Sequence, residues 1–289
     1  MKAMFYMKKI YTIILSMCFI LLYSTTSFAS TINEIEPNNS ANEAQTIYRN
    51  NENPAQIVNG NYSGQYVTVG KLTDNTDKDW YKVYLPADTS TILGINSTAL
   101  NGTGIFRIYD ENLNLISQIS HQKDPSIIGT TPYRVNIPTA GYYYVEVSST
   151  LNGGSYRFHI GGPDYTVDNY TYTAPSAVTL TPTTNSVQAT YNLSNIASIP
   201  DNAIVYYVSI QGTETNRATN QYRRLRINGD SSWINTSMYT YVTNVPVTNN
   251  KLLKSPWVFQ LEGTVSKSTG TYRLIPEITF QYIYPVLPQ

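Results

Sequence analysis

The chain has 289 residues, with 19 basic and 19 acidic side chains, so it lacks the strongly basic balance that nucleic acid or an anionic membrane surface selects. Only 13% of residues are charged while 26 are Tyr, and Tyr, Thr, Val and Ile punctuated by Gly, Pro and Asn make a strand-and-turn composition. No long apolar period of 3.6 runs through it, so an all-β protein is expected.

Residues 1–29 read as a signal peptide. Lys2, Lys8 and Lys9 precede an apolar run from Ile10 to Leu22, and Ser27-Phe28-Ala29 supplies small residues where a signal peptidase needs them. The run is short of the roughly 20 residues of a membrane span. Cys18 follows Met17, where a lipoprotein would carry a small residue. Cleavage after Ala29 removes those three lysines and no acid, leaving 16 basic and 19 acidic groups, a net of −3. It also removes Cys18, the sole cysteine. A secreted chain without disulfides points to a Gram-positive bacterium. The rest, roughly 260 residues, can bury one large β-core or two smaller ones.

The chain then opens on Glu34, Glu36, Asn38 and Asn39, four hard oxygen ligands within six residues, with Pro37 fixing its own φ between them. A short helix is predicted near 39–45, with Ser40 as its cap and Glu43 as capping-box partner. About forty residues on, Asp74, Asp77 and Asp79 precede a strand. Calcium takes six to eight oxygens from carboxylates, amides and carbonyls, so two such segments suggest a calcium staple.

Strands follow quickly. Residues 66–72 alternate, and 79–85 set Trp80, Lys82 and Tyr84 on one face and Tyr81, Val83 and Leu85 on the other. Residues 91–97, 104–110 (Ile105 toward the core) and 113–119 continue the series, with a turn at Asp110-Glu111-Asn112. Residues 132–138, 142–149 and 155–160 complete it, the last two joined by a hairpin turn at Asn152-Gly153-Gly154. Eight or so short strands at this spacing favour a sandwich or jelly roll.

Residues 33–161 resemble the bacterial pre-peptidase C-terminal domain, the module appended to many secreted peptidases and related to collagenase collagen-binding domains. Five elements carry the resemblance in order. They are Glu34-Ile35-Glu36-Pro37-Asn38, Gly70-Lys71-Leu72, Asp77-Lys78-Asp79-Trp80-Tyr81, Phe106-Arg107-Ile108-Tyr109-Asp110, and Ala140-Gly141 leading through Tyr142, Tyr144, Val145 and Val147 to a closing Tyr156, Phe158 and Ile160 strand. The resemblance implies a jelly-roll-like sandwich and, as in collagen-binding members, calcium. By position that implies Glu34, Glu36, Asn38, Asn39, Asp77 and either Asp74 or Asp79 as ligands. Asn39 departs from the Asp of several calcium-binding members, which lowers the ligand charge. The module is an appendage, and the resemblance brings no peptidase with it.

Residues 163–176 read as a linker. Strand-like runs resume over 177–289, which is expected as a second β-sandwich domain after the first at 30–162. Catalytic equipment is sparse. His159 reads as a solvent-facing strand residue and His121 as part of a polar turn, without zinc-site spacing. Gly229-Asp230-Ser231-Ser232 reads as a tight turn rather than a nucleophile. Glu146, Glu262 and Glu277 fall in alternating strands, on exposed sheet faces. Arg217, Arg223, Arg224 and Arg226 form the basic cluster, read as a solvated face, with Arg224 and Arg226 on one side. Tyr142 and Tyr144 share a strand face and offer an aromatic surface for a ligand.

The expectation is therefore a secreted, non-catalytic, calcium-stabilised protein that binds an extracellular polymer (polysaccharide or collagen-like protein) or a secreted protein. No nucleic-acid partner is expected, and no membrane partner after cleavage. The alternatives are a hydrolase with its site in 177–289 and a structural cell-surface protein.

Overall fold

The computed structural model describes residues 30–51, 65–100, 102–122, 129–234 and 242–288. The leader expected over 1–29 lies outside them. The architecture is all-β. The first ten strands are β1 (Ser30–Asn33), β2 (Gln45–Thr46), β3 (Tyr66–Leu72), β4 (Asp79–Leu85), β5 (Asp88–Leu100), β6 (Gly104–Tyr109), β7 (Leu115–His121), β8 (Thr131–Ile137), β9 (Gly141–Ser149) and β10 (Gly154–Gly161). They form two five-stranded sheets, ordered β1-β3-β10-β5-β8 and β2-β4-β9-β6-β7. Period-2 alternation points Tyr81, Val83, Leu85, Phe106, Ile108, Tyr143, Val145 and Val147 from one sheet at Leu72, Leu93, Ile95, Val135, Tyr156, Phe158 and Ile160 of the other. Phe106 and Ile108 face the core, and Ile105, expected there, points the other way because it is one residue out of phase.

The remaining strands are β11 (Tyr165–Thr173), β12 (Val178–Leu180), β13 (Ser186–Asn192), β14 (Ile204–Thr215), β15 (Thr219–Ile227), β16 (Val242–Pro246), β17 (Pro256–Thr264) and β18 (Tyr272–Pro285). One sheet runs β11-β18-β14-β16, with β12 also paired to β18, and faces a three-stranded sheet, β13-β17-β15. A second core lies between them, with Trp257, Phe259, Leu261 and Leu225 against Val208, Ile210, Leu274, Ile278 and Phe280. The chain thus holds two β-sandwiches.

Three local expectations are corrected. The stretch read as a linker, 163–176, contains β11, which pairs with β18 without a register break from Tyr165↔Pro285 to Thr173↔Glu277. Its apolar content was hidden because only Tyr170 and Tyr172 reach the core from an otherwise exposed edge strand. The helix near 39–45 is a single 3-10 turn, Ala41–Glu43, and the Ser40 hydroxyl donates to the Glu43 carboxylate at 2.8 Å instead of accepting from the backbone. Both histidines are buried, His121 at 2% exposure and His159 at 3%. His121 Nδ1 lies 2.9 Å from the Tyr133 hydroxyl, and His159 lies against Gly94, where a Cβ would meet its ring at 2.0 Å.

Candidate functional site

Two features of the first sandwich gather chemistry. The first is the strap that follows β1. The Glu34 amide donates to the Val69 carbonyl at 2.9 Å, and the Trp80 amide donates to the Asn38 carbonyl at 2.8 Å, so the strap is tied to β3 and to the start of β4. The Glu36–Pro37 peptide between them is cis. This crossing brings carboxylate oxygens of Glu34, Glu36 and Asp79 within 4.8 Å of one another. Asn38 joins them, its amide nitrogen donating to Glu34 Oε1 at 3.3 Å and its backbone N–H to Glu36 Oε2 at 2.9 Å.

Two phenols close the cluster from the core side. Tyr156 Oη donates to Asp79 Oδ2 at 2.5 Å and lies 2.6 Å from Tyr81 Oη, which reaches Glu34 Oε1 at 3.3 Å. Gly70 leaves room for them, since a Cβ there would meet Tyr156 Oη at 2.3 Å. Sequence reasoning did not include Tyr81 and Tyr156 in the site, although both stand inside the motifs that locate it.

Asp79 is fully buried among these oxygens, and desolvation, reinforced by the neighbouring Glu34 and Asp77, pushes its pKa up to about 9. Among the described residues, two oxygens of this cluster, Asn38 Oδ1 and Asp79 Oδ1, are buried without a hydrogen-bond partner. Such atoms are rare in folded proteins and call for a specific reason. A hard divalent cation is one, because it binds carboxylate and amide oxygens and favours the charged form of Asp79. The donor set of Glu34, Glu36, Asn38 and Asp79 fits calcium.

The other sequence candidates lie beside this cluster. Asp74 accepts from the Thr76 amide and hydroxyl, both at 2.7 Å, and these bonds hold its carboxyl below its usual pKa. Asp77 accepts from the Thr73 amide and hydroxyl at 2.7 and 2.8 Å. Both carboxylates thus brace the turn before β4. With Asn39 they line a shallow hollow of about 270 Å³.

The second feature is the outer face of the β2-β4-β9-β6-β7 sheet. Register sets three rungs across β4, β9 and β6: Tyr84 beside Tyr142; Lys82, Tyr144 and Tyr109; Trp80, Glu146 and Arg107. Trp80 and Tyr109 stack at 5.3 Å, Trp80 meets Tyr144 edge-on at 6.3 Å, and Tyr84 meets Tyr142 edge-on at 5.5 Å. The Lys82 ammonium lies over Tyr142 and Tyr144 at 4.8 and 5.4 Å. Tyr84 and Tyr142 remain 52% and 45% exposed.

Glu146 belongs to this face but is buried, not solvent-facing as expected, because Arg107 at 2.7 Å, the Tyr109 hydroxyl at 2.9 Å and Lys78 at 3.5 Å cover it. Sequence reasoning found Tyr142 and Tyr144 on one face. It missed Trp80, Tyr84 and Tyr109 as their companions, which only strand register supplies.

The second sandwich disperses the residues singled out there. Arg223 is buried inside, against Glu214 and 3.3 Å from the Tyr272 hydroxyl, and is no part of a solvated face. Arg224 pairs with Glu262 at 3.3 Å, and Arg226 lies 4.4 Å over Trp233 and donates to the Asp230 carbonyl at 2.8 Å. Asp230 of the Gly-Asp-Ser-Ser turn pairs with Lys251.

No family model and no curated protein matches the chain. Among solved structures it is similar to a secreted-protein candidate from Eubacterium rectale, at 14% identity and a TM-score of 0.55, over 89% of this chain and 88% of that one. That likeness establishes a shared fold over most of both chains. The CUB1-EGF-CUB2 segment of human MASP-1/3 (9% identity, TM-score 0.21, over 74% of this chain and 99% of that one) is far more distant. So is a fucolectin from striped bass serum (11% identity, TM-score 0.24, over 82% and 89%). Nothing is carried from either.

Proposed function

We propose that this chain is a secreted, non-catalytic binding protein. Its first sandwich, a module of the pre-peptidase C-terminal type, is stapled by calcium and presents its aromatic face to an extracellular polymer. The observation that carries the reading is the three-rung face of Trp80, Tyr84, Tyr109, Tyr142 and Tyr144, where the exposed Tyr84 and Tyr142 and the half-buried remainder can cover an extended ligand while Glu146, Arg107 and Lys82 hold them in place. Surface aromatic clusters of this kind mark contact sites in soluble proteins.

The calcium part rests on the two unpartnered buried oxygens. Glu34, Glu36, Asn38 and Asp79 would hold the ion, which would offset most of their charge and fix the strap to β4. A polysaccharide and a collagen-like protein are the two polymer classes that fit. A hydrolase in the second sandwich is less well supported: Asp201, Glu214 and Asp230 each pair with a Lys or Arg, and Glu262 and Glu277 lie on different strands of different sheets.

The test is co-sedimentation of the protein with insoluble polysaccharides and with fibrillar collagen, in calcium. Tyr84→Ala and Tyr142→Ala should each weaken retention by about tenfold, the loss of one aromatic contact of 1–2 kcal/mol. Retention by none of these polymers, or retention indifferent to both substitutions, overturns the reading.

A further inference from the structure

We infer that the second sandwich carries its own saccharide-binding site, centred on Glu262 on the outer face of the three-stranded sheet. Register places Tyr222 and Ser186 on either side of Glu262, and Arg224 and Gln188 on either side of Gln260 in the next outward position of β17. These planar groups are wired together. Glu262 Oε1 accepts from Arg224 Nη1 at 3.3 Å and from the Gln260 amide. The same Gln260 amide donates to Ser186 Oγ at 3.1 Å, and the Gln188 amide donates to Gln260 Oε1 at 3.2 Å.

Glu262 Oε2 accepts no hydrogen bond among the described residues, and the side chain stays 27% exposed. It opens on a cleft of about 360 Å³ whose rim is Asn185, Asn220, Tyr222 and Thr264. One carboxylate oxygen is therefore fixed by its neighbours and the other is offered to a ligand, which is how a binding group is pre-organised.

The chemistry selects the ligand class. The Glu262 charge is met by Arg224, so the site favours a ligand without net charge. An anion would face the carboxylate, and a cation would compete with the guanidinium. Two amides, a carboxylate and hydroxyls call for a ligand dense in hydroxyl groups, since each unmatched buried polar group would cost binding energy. The Tyr222 ring, with Arg224 over it at 5.4 Å, supplies an apolar wall for the C–H face of a sugar. The volume sits at the lower end of small-ligand pockets and suits one or two sugar units. The site stands apart from the aromatic face of the first sandwich, and the two can fail separately.

The test uses the full chain on an array of neutral oligosaccharides built from glucose, mannose, galactose, xylose and N-acetylglucosamine. Titration calorimetry with the strongest hit follows for the unaltered protein, Glu262→Gln, Tyr222→Ala and the double variant Tyr84→Ala/Tyr142→Ala. Glu262→Gln and Tyr222→Ala should each weaken binding at least about tenfold, and whatever part of the binding the double variant loses belongs to the aromatic face of the first sandwich. Should Glu262→Gln fail to fold, Tyr222→Ala, which removes only a rim ring, decides. Three results overturn the site: no neutral oligosaccharide bound, binding unchanged in both single variants, or loss confined to the double variant.

Discussion

Asp79 meets a strap, a strand and two phenols, and burial drives its carboxyl toward the protonated form. A bound cation reverses that balance. In calcium at 100 times its dissociation constant, the first sandwich should gain about 2.7 kcal/mol over the same protein in chelator. Glu34→Ala and Asp79→Asn should each abolish most of that gain while leaving the chelator-state melting temperature much less changed. Thermal unfolding followed by circular dichroism measures both. No shift at millimolar calcium would leave the strap as packing alone. The histidines give a second prediction at this scale. Burial lowers the pKa of both His121 and His159, with Asp164 partly opposing this at His159. Unfolded histidine titrates near 6.5. Below about pH 6.5 the unfolded chain therefore takes up protons that the folded chain resists, so stability falls as pH drops through that window and the contribution is complete above it. The slope of melting temperature against pH between 7 and 5 should be shallower in His159→Gln, and an unchanged slope would assign the acid sensitivity elsewhere.

At the scale of elements, alternation told which residues share a strand face but not what covers the face. Tyr81, Val83 and Leu85 were legible as core because one side of β4 is uniformly apolar. His159 was not, because period-2 reasoning assumes an open outer face, and this one is covered. The candidate site divided in the same way. Glu34, Glu36 and Asp79 were legible as oxygen donors because each stands in a short motif beside a strand end. The turn bonds that Asp74 and Asp77 accept depend on local hydrogen bonding that composition does not report. β11 was hidden by its polarity, since an edge strand that lends only alternate tyrosines to the core looks like a linker. Its strand character is testable. The Tyr172 ring lies 4.9 Å from that of Tyr191 and packs on the second core, so Tyr172→Ala should cost about 2 kcal/mol in denaturant unfolding. A linker residue would cost almost nothing.

For the whole molecule, the buried apolar side chains gather in two clusters, one between the first pair of sheets and one between the second, and among the described residues the metal-type oxygens lie beside the first. Cooperativity follows the core that unfolding exposes. The full chain from Ser30 should therefore melt in two calorimetric transitions, and calcium should move only one. Arg223 identifies the other. It is wholly buried and pairs with Glu214, so removing Glu214 takes away the carboxylate that meets its charge. Breaking one side of a fully buried pair costs about 3–5 kcal/mol and a partly exposed Glu214 lowers that toward about 2 kcal/mol, whereas replacing both with apolar side chains is often neutral. Glu214→Ala should lower the calcium-insensitive transition by many degrees, and Glu214→Leu/Arg223→Met should restore much of the loss. Both effects should leave the calcium-sensitive transition in place. A single transition moved together by calcium and by Glu214→Ala would instead mean that the two cores unfold as one unit, and the calcium staple would then stabilise the Glu262 site as well as the aromatic face.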